Sequence, residues 1–145
     1  PVKAPWNYHH HDITYPNKII LKLVGKIIPQ YKKENPDVNL TMDPWSLENF
    51  KFIQFKPGNY YDAFHSEQSY TQPRVFAVLV YLSDHNCGTE FTNGKIVKSV
   101  KGRSLIFPAY WTHTHKGQPC PDNKIRYILT THAKFNKREK HELES

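Results

Sequence analysis

The hydrophobic period of the chain changes near residue 45. In "NKIILKLVGKIIPQYKKEN", Ile19, Ile20, Leu23, Val24, Ile27 and Ile28 recur at the i, i+3/i+4 spacing of a helix with one apolar face. Asn17 stands where an N-cap is expected, and Pro29 where the helix should end or kink. The opening "PVKAPWNYHHHDITYP" has no sustained period and reads as an irregular arm. From Trp45 the pattern becomes one of short strand-like runs: "FKFIQFK", "YDAFHSE", "RVFAVLVYL", "TEFT", "KIVKSV", "SLIFP", "HTHKG" and "KIRYILTTHAKF". Pro57-Gly58, Asp84-His85-Asn86, Asn93-Gly94, Lys101-Gly102 and the stretch from Pro119 to Asn123 separate them. Such a series after a single helix implies a mainly β fold, a sandwich or barrel with helical support.

At 145 residues the chain suits one domain, an arm and helix to about residue 44 and a strand-rich core over about 45–135. The longest apolar run, "VFAVLVYL", is too short for a membrane span and fits a buried strand. Two cysteines, Cys87 and Cys120, are too few for a disulfide framework, so reduced thiols and a cytoplasmic setting are expected. The formal charge of +7 is spread over separate lysines and the tail "KFNKREKHELES". It reads as a solvated basic surface; no nucleic-acid-binding motif accompanies it.

The candidate chemistry begins at His65-Ser66-Glu67. On a strand, residues i and i+2 share a face, so this pair can aim at one metal ion. Alone the tripeptide is weak. In "FPAYWTHTHKGQP", His113 and His115 are again i and i+2, and either completes a set of two histidines and one carboxylate. That set suits Fe(II) and leaves coordination positions open, whereas structural zinc wants a closed fourth ligand. Arg126, on the following strand, offers a guanidinium for a carboxylate, and Tyr81 a phenolic hydrogen bond to the same group. A cation beside an open metal site fits a dicarboxylic co-substrate. The consecutive His9, His10 and His11 point in different directions and make a poor metal site; a lid is their other possible role. Trp111 and Tyr110 are expected in the core or lining a pocket.

These pieces occur in a recognisable order. "FKPGNYYDAFHSE", "RVFAVLVYLSD" with "CGTEF", "GRSLIFPAYWTHTHKGQP" and "RYILTT" together resemble the Fe(II)/2-oxoglutarate-dependent oxygenases, prolyl 4-hydroxylase-like branch, from about Phe52 to Thr131. The resemblance implies a double-stranded β-helix, a jelly-roll or cupin-like barrel. It also favours His115 over His113, because Pro119 and Arg126 follow at the family's distances. His65, Glu67 and His115 would then hold Fe(II), and Arg126 and Tyr81 the far carboxylate of 2-oxoglutarate. Phe55, Tyr60 and Thr130 would line the co-substrate pocket. The implied reaction consumes O2 and 2-oxoglutarate, releases succinate and CO2, and is commonly supported by ascorbate. Its substrate would be a peptidyl proline or a small amino-acid-like molecule. The alternative is a non-catalytic cupin-like module binding metal or anion. A nucleic-acid demethylase would be expected to carry a second arginine where this chain has His132. Two departures from the family pattern stand out: Glu67 replaces the usual aspartate, and Cys87 a usual glycine.

Overall fold

The computed structural model describes residues 8–14, 17–40 and 43–136. Along them run β1 (His9–Ile13), α1 (Lys18–Glu34), β2 (Trp45–Leu47), β3 (Phe50–Phe55), β4 (Arg74–Tyr81), β5 (Gly88–Phe91), β6 (Ile96–Lys98), β7 (Ser104–Pro108), β8 (His115–Gly117) and β9 (Arg126–Phe135). Six strands form one sheet in the order β1-β3-β9-β4-β7, with β2 also paired to β9; β6-β5-β8 form a second. Every pairing is antiparallel. The fold is thus mainly β, as expected, but the sheets stay separate rather than closing into one hydrogen-bonded barrel.

The period of two along the central strands divides the interior. Phe76, Val78 and Val80 of β4, with Leu129 and Ala133 of β9 and Phe50 of β3, pack with Ile20, Ile28 and Tyr31 of α1. The intervening positions face the other way: Ile53, Phe55, Tyr81 and Ile128 form a second apolar cluster, with Leu79 and Val97 against it. Ala77, Phe91 and Phe107 form a third. Phe50, Phe76, Val78 and Ala133 are essentially inaccessible to solvent. Each large apolar side chain so buried contributes about 1.5–3 kcal/mol, and this core fixes the sheet on which the other face is built.

Asn17 caps α1, its Oδ1 accepting from the N–H groups of Ile19 (3.0 Å) and Ile20 (3.4 Å). Pro29 does not end the helix, which continues to Glu34. Proline removes the bond to the carbonyl four residues back. That residue is Gly25, exposed like Pro29, so the freed carbonyl lies on a face open to water. The opening arm is also corrected: His9–Ile13 is an edge strand on β3. Its side chains are exposed or half-buried, which left no apolar period to read. The expected strand "YDAFHSE" is irregular chain, joined to its neighbours by an isolated bridge at His65 and by single backbone hydrogen bonds at Tyr61 and Glu67. The strand expected over "HTHKG" starts at His115, after a 3-10 turn at Trp111–His113, and Trp111 is exposed rather than core. The first seven residues and most of the basic tail lie outside the described residues.

Two glycines set the path of β5. Gly94, with φ of 89°, makes the turn joining β5 to β6. Gly88 lies against the Val97 carbonyl, where a Cβ would collide with backbone. The strand after Cys87 can therefore lie close against β6. Cys87 and Cys120 are joined as a disulfide, Cα–Cα 5.0 Å, correcting the expectation of reduced cysteines and removing its support for a cytoplasmic setting. Among the described residues, no helix is long and apolar enough to cross a membrane.

Candidate metal and anion site

The face of β9 turned away from α1 carries Arg126, Ile128, Thr130 and His132 at successive even positions, and all four line one cavity of about 260 Å³. Lys51, Ile53 and Phe55 of β3 and Leu79 and Tyr81 of β4 line it by the same alternation. His65, Glu67 and His115 close one end.

His65 and His115 converge because their backbones exchange two hydrogen bonds, His65 N–H to His115 O (2.9 Å) and His115 N–H to His65 O (3.0 Å). Residues directly opposite in an antiparallel pair project from the same face. Their rings lie 4.4 Å apart, and each Nε2 meets the same Glu67 Oε1, at 3.1 Å and 3.0 Å. Each Nδ1 faces a backbone carbonyl, Ala63 O at 2.7 Å for His65 and His113 O at 2.9 Å for His115. Nδ1–H donated to a carbonyl leaves the Nε2 lone pair for a metal. The three donor atoms lie within 4.8 Å of one another. His113 is not in this set; its backbone carbonyl orients His115, while its ring nitrogen faces Thr112 Oγ1.

Glu67 is held from behind as well. Its Oε2 accepts from His132 Nε2 at 3.0 Å and lies 3.8 Å from Arg74 Nη1. Arg74 and His132 both turn to Glu48 too, at 3.2 Å each. Burial pushes the Glu67 carboxyl up, but hydrogen bonds from His115, His132 and His65 overcome this and hold it far below the usual carboxylate range. Glu48 is likewise lowered, with burial outweighed by His132 and Arg74. His65 and His132 are raised: burial disfavours their charged forms, but Glu67 in one case and Glu48 with Glu67 in the other favour them more.

The other end of the cavity is different. Arg126 is buried, its guanidinium 4.5 Å from the Phe55 ring centroid and its Nη1 3.6 Å from Cys87 Sγ. Its Nε is buried without a hydrogen-bond partner. A buried, incompletely satisfied cation is suited to an incoming carboxylate. Tyr81 is close by, but its hydroxyl is engaged, 2.6 Å from Thr89 Oγ1 and 3.2 Å from the Val97 carbonyl. Of the expected pocket residues, Phe55, Tyr81, Arg126 and Thr130 line the cavity; Tyr60 does not, and its neighbour Tyr61 does. Tyr8 reaches the cavity, whereas the exposed His9, His10 and His11 are not among its lining.

No family model and no curated protein matches the sequence. Solved structures do. A viral collagen prolyl hydroxylase from Paramecium Bursaria Chlorella virus-1 superposes with a TM-score of 0.70 over 90% of this chain and 80% of that one, at 19% identity. The chain shares the fold of this structure. A Pseudomonas putida prolyl-4-hydroxylase gives a TM-score of 0.66 over 90% of this chain and 73% of the other, at 15% identity. A 2OG-Fe(II) oxygenase family protein from Burkholderia pseudomallei gives 0.61 over 92% and 71%, at 14%.

On this fold, the sequence motifs pointed to His65, Glu67, His115 and Arg126 but missed Glu48, Arg74, Thr89 and His132. The signal for His132 was available in the alternation of β9, since Arg126, Ile128, Thr130 and His132 share a face. Glu48 and Arg74 carry no such signal, because their relation to Glu67 is made by tertiary structure.

Proposed function

We propose that this chain is an Fe(II)- and 2-oxoglutarate-dependent dioxygenase that hydroxylates a peptidyl prolyl residue or a small amino-acid-like substrate. The observation that carries the proposal is a single cavity with two converging histidine Nε2 atoms and a carboxylate oxygen at one end and, at the other, a buried arginine whose Nε has no hydrogen-bond partner. Fe(II) held there with 2-oxoglutarate supplies O2-dependent oxygen insertion into a C–H bond, with succinate and CO2 as co-products.

The protein's own residues do the rest. His65, Glu67 and His115 offer three donors and leave the cavity side open. His132 and Arg74 hold Glu67 Oε2 so that Oε1 stays turned to the histidines, which accommodates the methylene that distinguishes Glu67 from an aspartate. Arg126, beside the Phe55 ring, receives the far carboxylate of 2-oxoglutarate, and the Tyr81 hydroxyl turns from the Val97 carbonyl to donate to the same group. Ile53, Leu79 and Ile128 provide apolar wall between the two polar ends. His132, spent on Glu67 and Glu48, is unavailable as a second anion-binding group of the kind a nucleic-acid demethylase would need.

A peptidyl proline is the first substrate because two structures sharing the fold are a collagen prolyl hydroxylase and a prolyl hydroxylase bound to a hypoxia inducible factor peptide fragment. Exposed Phe64 and Trp111, near His65 and His115 in the chain, supply aromatic surface on which a peptide can lie.

The test is saturable 2-oxoglutarate binding by the Mn(II)-loaded protein, followed by succinate formation with Fe(II), ascorbate and a prolyl peptide panel. Metal binding without 2-oxoglutarate binding would instead favour a non-catalytic cupin-like module. Absence of both 2-oxoglutarate binding and succinate would sink the proposal.

A further inference from the structure

Outside the main cavity, the fold assembles a second set of metal-binding residue types. His85 and Cys87 are i and i+2 just before β5; Cys120 and Asp122 are i and i+2 in the loop after β8. The β5–β8 pairing brings the two segments together, continued by Gln118 N–H to Gly88 O (3.0 Å) and Gly88 N–H to Gln118 Oε1 (3.1 Å). Donor atoms of His85, Cys120 and Asp122 all lie within 4.8 Å of one another. Cys87 Sγ is bonded to Cys120 Sγ and so is the fourth donor at hand.

We propose that, once the Cys87–Cys120 disulfide is reduced, His85, Cys87, Cys120 and Asp122 form a closed tetrahedral Zn2+ site, separate from the one at His65, Glu67 and His115. Reduction by a dithiol transfers two electrons and two protons to the disulfide, and the dithiol leaves as its own disulfide. Zn2+ then displaces both thiol protons.

The residue set selects zinc. Two thiolates, an imidazole and a carboxylate form a closed donor set, the mark of a structural zinc site, whereas the open three-donor site in the main cavity suits Fe(II). The geometry needs little change. His85 Nδ1 and Asp122 Oδ1 are 2.9 Å apart. With Zn–N and Zn–O bonds of about 2.0–2.1 Å, tetrahedral ligands lie roughly 3.3 Å apart, so the pair opens by a few tenths of an ångström.

The surroundings complete the site. His85 Nε2 faces Ser83 Oγ at 2.7 Å, so its N–H can donate there and leave Nδ1 to the metal. Asp122 Oδ2 accepts from the Asn86 N–H at 3.1 Å, leaving Oδ1 on the metal side. The donor set exceeds the charge of Zn2+, and the Arg126 guanidinium beside Cys87 offsets the excess. His85 and Cys87 are buried and Cys120 and Asp122 half-buried, which gives an ion a route in from the loop side.

The zinc site does not depend on the oxygenase proposal. The test uses Co(II) as a spectroscopic stand-in for zinc, because only thiolate ligation gives an intense near-ultraviolet sulfur-to-cobalt charge-transfer band, and the main cavity has no sulfur among its candidate ligands. Dithiol-reduced protein, freed of dithiol and kept reduced with a phosphine, should develop this band on adding Co(II) and lose it on adding Zn(II). Oxidised protein should show no band. Cys120→Ser and Asp122→Ala should each weaken binding at this site by about tenfold or more, while His115→Ala should leave the band unchanged. No band in the reduced wild type, or an unchanged affinity in Cys120→Ser, would overturn the assignment; the wild-type comparison holds even if a variant does not fold.

Discussion

The two ends of the cavity differ in how their charges are met. At one end the Glu67 carboxylate has partners on both oxygens: His65 and His115 on Oε1, His132 and Arg74 on Oε2. At the other, Arg126 has a sulfur atom, an aromatic face and one nitrogen with no partner. The first arrangement is complete without a ligand and keeps its donors aimed. The second stays incomplete, and burial makes that costly enough to lower the Arg126 pKa. A residue present only for packing would be cheaper as Met or Leu. The incomplete end is therefore the stronger pointer to an anionic ligand, and the complete end the stronger pointer to geometry.

Breaking the complete end should have the largest effect. His115→Ala removes a donor that no neighbouring side chain replaces, since His113 is turned to Thr112. Succinate formation should fall below detection and Mn(II) binding should be lost, whereas His113→Ala should retain both. Retention of metal binding in His115→Ala with its loss in His113→Ala would reverse the assignment. Next comes the incomplete end, where binding and stability should move apart. Arg126→Met should weaken 2-oxoglutarate binding by about two orders of magnitude, the scale of losing one partner of a buried charge pair. Without 2-oxoglutarate its melting temperature should be no lower than that of the wild type, because an unmet buried charge has been removed. Calorimetric titration and thermal melts with and without the keto acid read both. A clear drop in melting temperature without ligand would show that Arg126 is chiefly structural.

The contrast also explains what was legible in the sequence. Periods survive translation into structure: α1 followed from its apolar stripe, β4 from "VFAVLVYL" and β9 from an alternation that divides core from cavity. Edge strand β1 left no such trace, because its pairing uses backbone groups and its side chains are largely exposed. His65 and Glu67 were found through a strand that is not there. What aligns His65 is a two-bond bridge to a residue fifty positions away, which no local pattern can express. His115 was separated from His113 only by a family resemblance; the structure gives the physical ground, a histidine whose ring is oriented by the other's carbonyl. Glu48, Arg74 and the Cys87–Cys120 pairing arise where distant segments meet.

A smaller effect should come from the support behind Glu67. His132→Gln removes the donor best placed to fix Oε2, so Mn(II) affinity should fall by about 10–100-fold while the fold persists. Unchanged affinity would mean that Arg74 alone orients the carboxylate.

The smallest effect is on stability against pH, and it tests whether the complete end is held together by ionisation. Glu67 and Glu48 titrate below their ordinary value of 4.5, despite burial, because histidines donate to them. Their contribution is therefore full above about pH 4.5 and is lost as pH falls through the folded values. His65 and His132 titrate above 6.5, again against burial. Their contribution is full below about pH 6.5 and is lost as pH rises through the folded values. Chelator-treated protein should thus be most resistant to urea between those limits and weaken on both sides. Glu67→Gln should flatten both limbs, because the same carboxylate partners both histidines. Mn(II) should remove part of the alkaline loss, since the His65 lone pair that a proton leaves is then taken by metal. A chelated wild-type profile that is flat from pH 4 to 8 would show that the hydrogen bonds around Glu67 hold without their charges.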